Sequence, residues 1–181
     1  MNERDGEKID LMVDLETLGT EPGCVILSIA AVPFNLPYDV EPFYARVHKG
    51  SCIEKGFFVD DDTVAWWSKQ SIAAQEEAFS GQTNIEDALE DLSAYIETLG
   101  KSVNMWGNGA SFDVPILETA YKFCNQKPRW AYYNSMCYRT LKKLYPQVPY
   151  IPPRIKHNAL HDAKAQADHA QRIFKWMARG N

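Results

Sequence analysis

Between Ile9 and Glu16 the side chains alternate in character, with Ile9, Leu11, Val13 and Leu15 apolar and Asp10, Met12, Asp14 and Glu16 between them. A period of two sends successive side chains to opposite faces, so the segment predicts a strand with one apolar face and one face that carries acids. Thr17 to Gly23 holds two glycines and a proline, and an apolar, β-branched run from Val25 to Val32 follows, which predicts an antiparallel hairpin. Phe43 to His48 reads as a third strand of the same meander.

Helices dominate the rest. Thr63 to Phe79 reads as one or two of them. Asn84 suits the N-cap of a helix that repeats Ala88, Leu89, Leu92, Tyr95, Ile96 and Leu99 at helical spacing and stops at Gly100. Val103 to Trp106 is a short strand running into Gly107-Asn108-Gly109, after which Ser111 is expected to cap a helix through Phe123. Pro115 falls in the first turn of that helix, where no amide donor is missed. Pro149 to Pro153 reads as a loop, and Leu160, Ala163, Ala167, Ala170, Phe174 and Met177 form one apolar stripe on a last helix. A strand meander followed by helices alternating with strands predicts an α/β domain spanning residues 1–181, with a mixed central sheet flanked by helices.

Composition narrows the class. Hydrophobic residues make up 45% and charged residues 24% of the chain, ordinary values for a globular protein. There is no apolar run of about 18 residues to span a bilayer, and Met1 to Asp5 is too polar for a signal peptide, so a cytoplasmic protein without membrane contact is expected. Cys24, Cys52, Cys124 and Cys137 lack the short paired spacing of a zinc knuckle and read as reduced thiols. The net charge of −5 conceals an asymmetry: residues 119–161 carry 8 Lys and Arg and no acid, and aromatics from Tyr121 to Tyr150 are interleaved with them. Lys and Arg hold phosphates and unpaired bases stack on aromatic rings, so the stretch suits a single-stranded nucleic acid. It equally suits core aromatics separated by solvated basic residues.

Asp14 and Glu16 share one face of the first strand at its carboxyl end. At about 6 Å and an effective dielectric of about 20, two like charges repel by roughly 3 kcal/mol, which a bound cation would relieve. Asp113 lies in the first turn of its helix, where the helix dipole favours ionisation. Asp162 opens the last helix, five residues after His157. Singly, each also reads as a strand end, a helix-start acid or a surface histidine.

Together, Asp14-x-Glu16, Asn108-Gly-Ala-Ser-Phe112-Asp113 and His157-Asn-Ala-Leu-His-Asp162 resemble the three motifs of the 3′-to-5′ exonucleases named after their four acids, in the histidine-containing (DEDDh) branch. The tyrosine-containing branch would place Tyr four residues before Asp162, where this chain has Asn158. The resemblance covers residues 9 to about 175 and implies the ribonuclease-H-like sheet with flanking helices. The Trp66-Trp67 pair and the wording from Gly107 to Asp113 resemble most the short phage and bacterial members.

The resemblance implies two divalent cations per site, Mg²⁺ or Mn²⁺, in keeping with an all-carboxylate donor set. Asp14 would bridge both, Glu16 and Asp162 would complete the first cation's shell, and Asp113 would act through bound water. His157 would be the general base that takes a proton from the attacking water. The implied partner is the 3′ end of single-stranded DNA or RNA. Thr17 and Leu18, with Leu15 beside them, would receive the 3′ hydroxyl and wedge against the terminal base, and Phe112 would line the other side. Asn108 fits a substrate contact or a plain turn residue. Trp67 fits a stacking role, although adjacent helical residues point about 100° apart, so at least one of Trp66 and Trp67 belongs to the core. His161 and His169 have no part in the motifs. Closed two-fold pairs are the commonest assembly, which makes a homodimer the expected one. Two rivals remain: a catalytically weak nucleic-acid-binding or interaction module on the same fold, and a phosphatase on another scaffold, which would leave the spacing of His157 to Asp162 unexplained.

Overall fold

Ile9–Thr17 forms β1, the central strand of a computed structural model that describes residues 8–37, 39–100 and 102–180. On one side β1 pairs antiparallel with β2 (Ile26–Phe34), which pairs antiparallel with β3 (Phe43–Arg46). On the other side it pairs parallel with β4 (Val103–Gly107), which pairs parallel with β5 (Ser135–Cys137). The sheet order is therefore β3-β2-β1-β4-β5, and the expected mixed sheet in an α/β fold is present.

The alternation in β1 sorts its side chains into two cores. Ile9, Leu11, Val13 and Leu15 enter the larger core. There they meet α4 (Ile85–Thr98), whose Ile85, Ala88, Leu89, Leu92 and Ile96 are buried along one stripe, and α5 (Asp113–Phe123). Met12, on the opposite face, packs with Ala159, Ala163, Ala167 and Ala170 of α7 (Ala159–Ala178). The small alanine side chains let α7 lie close over the even-numbered face of β1, the face that carries Asp14 and Glu16.

Several boundaries differ from the expectation. Thr63 to Phe79 resolves into α2 (Asp61–Trp67) and α3 (Ile72–Phe79), and α1 (Lys49–Glu54), β5 and α6 (Tyr138–Leu144) were not anticipated. Ser111 does not cap α5; Phe112 occupies the N-cap position, with no side-chain hydrogen bond to the helix. Asn84 sits at the N-cap of α4 likewise without a side-chain bond. The stripe on α7 stops short of Met177, which is 44% exposed near the end of the helix. All four cysteines are free thiols. Among the described residues, no helix is long and apolar enough to cross a membrane.

Candidate active site

Four acids converge at the carboxyl end of β1. Asp14 and Glu16 leave the even face of the strand, and α7 brings Asp162 over them, so that carboxylate oxygens of all three lie within 4.8 Å of one another. Asp113 approaches from the far side. Its Oδ1 accepts from the Leu15 amide at 3.2 Å and its Oδ2 from the Asn108 amide at 2.7 Å. That approach needs Gly107, where a Cβ would stand 3.0 Å from the Asp113 carboxylate.

Burial and mutual repulsion dominate the electrostatics. Desolvation, then the charges of Asp113, Glu16 and Asp162, hold the Asp14 carboxyl well above the ordinary range. Desolvation, then the charges of Asp162 and Asp113, push Glu16 up to about 8. Asp162 is raised by burial against the opposing effect of hydrogen bonds from the Asn158 and His157 backbone. Asp113, expected to ionise readily at its helix start, is instead raised to about 6, because its burial outweighs its two amide donors and the nearby Arg139 guanidinium. A cluster whose members all resist ionisation lacks positive charge, which is the condition a divalent cation satisfies.

His157 adopts a left-handed backbone conformation, φ 59°, and its amide donates to Asp162 Oδ2 at 2.9 Å. Non-glycine residues in this region cost roughly 1–3 kcal/mol, and histidine is among the side chains that tolerate it best. One turn thus presents the imidazole and orients a carboxylate together. Asn158 begins α7 by accepting from the His161 amide through Oδ1. The His157 ring meets the edge of Trp66, with centroids 4.8 Å apart.

Asp14, Glu16, Asp162 and His157 border one cavity of about 680 Å³, and Asp113 is buried behind its wall. Leu15, Thr17, Asn108, Phe112 and Trp67 border it as well. Leu18 does not: it lies in the core at 3% exposure, with its amide on the Val25 carbonyl and its own carbonyl accepting from the Asp60 amide. The cause is local. The β1–β2 register shifts between Glu16 and Thr17, so the two-residue alternation that would carry Leu18 to the acidic face ends there. Trp67 is 2% exposed and its indole donates to the Thr17 carbonyl at 2.9 Å, whereas Trp66 is 40% exposed. One tryptophan thus braces the strand end, and the other is partly exposed at the cavity, packed against Trp67 and His157.

Sequence reasoning missed Gln166. It lies one helical turn after Asp162, buried at 3% exposure, and its Nε2 donates to Asp14 Oδ1 at 2.6 Å. Its Oε1 is buried without a hydrogen-bond partner among the described residues, and the residue borders the acidic cavity. The available signal was a long polar side chain among Ala163, Ala167 and Ala170 on the buried side of a helix. Lys142, Tyr150 and Tyr138, from the acid-free stretch that suits a single strand, also border the cavity. The basic stretch divides: Tyr121, Trp130 and Tyr138 are buried, while Tyr132 and Tyr133 are 82% and 62% exposed. His169, given no role, is buried between the Tyr138 hydroxyl and the Val148 carbonyl.

Residues 9–174 match the family model described as a 3′-5′ exoribonuclease, Rv2179c-like domain. An exodeoxyribonuclease of Enterobacteria phage T4 is 29% identical over 122 residues, covering 60% of this chain and 53% of the phage protein. Among solved structures, E. coli exonuclease I in complex with a DNA oligonucleotide superposes with a TM-score of 0.60 at 16% identity, covering 96% of this chain and 43% of that one. S. pombe Pop2p in a Mg²⁺- and Mn²⁺-bound form superposes with a TM-score of 0.55 at 14% identity, covering 95% and 85%. The fold is thus the ribonuclease-H-like one of these nucleases, and the chain spans about half the length of the phage relative and of exonuclease I.

Proposed function

The chain belongs to the Rv2179c-like family of 3′-5′ exoribonuclease domains, and from that membership we propose that it removes nucleoside monophosphates one at a time from the 3′ end of single-stranded RNA or DNA. The observation that carries this reading is the convergence of Asp14, Glu16 and Asp162 within 4.8 Å, with Asp113 behind them and His157 at the rim of the same cavity.

The donor set suits Mg²⁺ or Mn²⁺, and two ions per site are what the family resemblance implies. Every available donor is a carboxylate, each is raised by burial or by its neighbours, and the unpartnered Gln166 Oε1 lies beside them, where it can accept from an ion's water shell. Asp14, Glu16 and Asp162 would hold the ions, and Asp113, whose two oxygens accept backbone amides, would add negative charge from behind. Bound there, such a pair supplies charge stabilisation for the attacking and leaving oxygens of an in-line displacement.

The chain's own groups supply the rest. His157 accepts the proton of the attacking water through its imidazole, and its backbone amide keeps Asp162 turned toward the cluster. Gln166 fixes the rotamer of Asp14 by donating to one of its oxygens and leaving the other free. Trp66, exposed beside His157, offers a face on which the terminal base can stack, and Phe112 and Asn108 close the other side of the cavity. Trp67 serves indirectly by holding the Thr17 carbonyl.

Incubation of matched 5′-labelled RNA and DNA single strands with Mn²⁺ tests the proposal. A ladder of progressively shorter labelled products is expected, accompanied by free mononucleotide. Release of the label as the first product, or no hydrolysis of either strand, would exclude it, and the ratio of the two rates assigns the preferred sugar.

A further inference from the structure

A second cavity, of about 640 Å³, adjoins the acidic one and shares Asn108, Lys142 and Tyr150 with it. The two are lined with opposite charge. Five carboxylates border the first, among them Asp60 and Asp62, which do not reach the second, whereas Arg139, Lys142 and Lys143 border the second and no acid does. All three cations come from α6, and none makes an ion pair among the described residues. Arg139 is held in place: its guanidinium donates to the Asn108 carbonyl and lies over Gly109, where a Cβ would stand 3.1 Å from it. Gly109 has φ 143°, so both its conformation and this close approach favour glycine. Lys142 Nζ sits 4.2 Å from the centroid of the Tyr150 ring, at the threshold between the two cavities.

We propose that the second cavity is a backbone-phosphate subsite that receives the single strand immediately 5′ of the terminal nucleotide, with Lys142, Lys143 and Arg139 on its phosphodiesters. The inference rests on the exonuclease reading above. A polyanion whose 3′ end is seated among carboxylates must leave the acidic cavity by some route. The side of Asp60 and Asp62 repels it, and the side of α6 attracts it. The threshold pair of Lys142 and Tyr150 offers a cation and an aromatic face where the first 5′ phosphate and base would pass. Tyr145–Val148 and the proline-rich loop wall this path, tied to α7 by the His169 bond to the Val148 carbonyl and by an Arg172 bond to the Pro149 carbonyl at 2.7 Å. The acid-free stretch of the sequence thereby acquires a location and a task.

Two substrates separate the subsite from the reacting centre: a short single-stranded oligonucleotide, and the p-nitrophenyl ester of thymidine 5′-monophosphate, which has one phosphate and no upstream nucleotide. Lys143→Ala and the double variant Lys142→Ala/Lys143→Ala are compared with wild type, both changes being on exposed side chains that leave the fold unstrained. The double variant is expected to raise KM for the oligonucleotide about tenfold at low salt, and to flatten log KM against log salt by roughly 0.7 per lost phosphate contact. Its effect on the ester is expected to be several-fold smaller, and Lys143→Ala, which borders only the second cavity, should show the same bias. Equal losses on both substrates would place the lysines at the reacting phosphate and overturn the subsite. An unchanged oligonucleotide KM and salt slope in active variants would mean that the strand leaves elsewhere, and would overturn it too. A wild type inert on the oligonucleotide with Mg²⁺ and Mn²⁺ would instead remove the exonuclease reading, and the subsite with it.

Discussion

Asp14 sits where the charges of Asp113, Glu16 and Asp162 all act, so its replacement tests the site more completely than any other single change. Asp14→Asn keeps the side-chain shape and removes one charge; hydrolysis should fall to background. In metal-free protein the melting temperature should stay level or rise, because carboxylate repulsion is relieved, and the increase on adding Mn²⁺ should shrink. Gln166→Leu removes the donor that orients Asp14 without adding charge. It should weaken Mn²⁺ affinity by about 10- to 100-fold, the usual effect of losing a group that orients a metal-binding side chain. His157→Ala is expected to lower the single-turnover rate by about 10²- to 10⁴-fold with little change in Mn²⁺ affinity, which separates a base from a metal-binding side chain. That Asp14, Glu16, Asp113 and Asp162 come together near His157 was expected from the motif resemblance, since singly each reads as a strand end, a helix-start acid or a loop histidine. Gln166 was not, since its partner lies 152 residues away and only the packing of α7 on β1 brings them together. Leu18, carried over from the family resemblance, lies in the core because the β1–β2 register shifts before it, which the motif does not reveal.

At the scale of elements, α7 matters most to the site, since it carries Asp162 and Gln166 and begins beside His157. Its N-cap is the Asn158 side chain. Asn158→Ala should cost about 1 kcal/mol of stability, read in urea unfolding, and should reduce activity more than a surface cap of equal energy would, because the first turn of α7 positions Asp162. The elements that the sequence revealed are those with enough residues to show a period: β1 and β2 with 9 each, α4 with 14 and α7 with 20. The six residues of α1 and the three of β5 are too short to display one. Helix α6 has seven, and its buried Tyr138 is held by tertiary contact with His169 rather than by an amphipathic stripe. Phe112 replaced Ser111 at the head of α5 because the chain turns there to bury Asp113, which sets the helix start by tertiary demand rather than by capping chemistry.

Across the whole molecule, the clustered carboxyls of the acidic cavity cost stability at neutral pH. Glu16 has a folded-state pKa of about 8 against an ordinary 4.5, and Asp14 and Asp162 move in the same direction. A carboxyl raised on folding contributes stability that is complete below its unfolded value and is lost as pH rises through its folded value. The metal-free protein should therefore melt at progressively lower temperature from about pH 5 to about pH 8, and Mn²⁺ should restore most at the upper end; a flat metal-free profile would show that these carboxyls are not strained. The central claim is that the fold concentrates carboxylates so that divalent cations, and with them the chemistry, are held at the end of β1. Calorimetric titration of wild type and Asp14→Asn with Mn²⁺ near pH 7, in two buffers of different ionisation enthalpy, tests it most directly. Two ions per wild-type chain are expected, bound with release of protons from the raised carboxyls, with loss of at least one ion in the variant. Saturable binding identical in the two proteins, or no saturable binding in wild type, would contradict it.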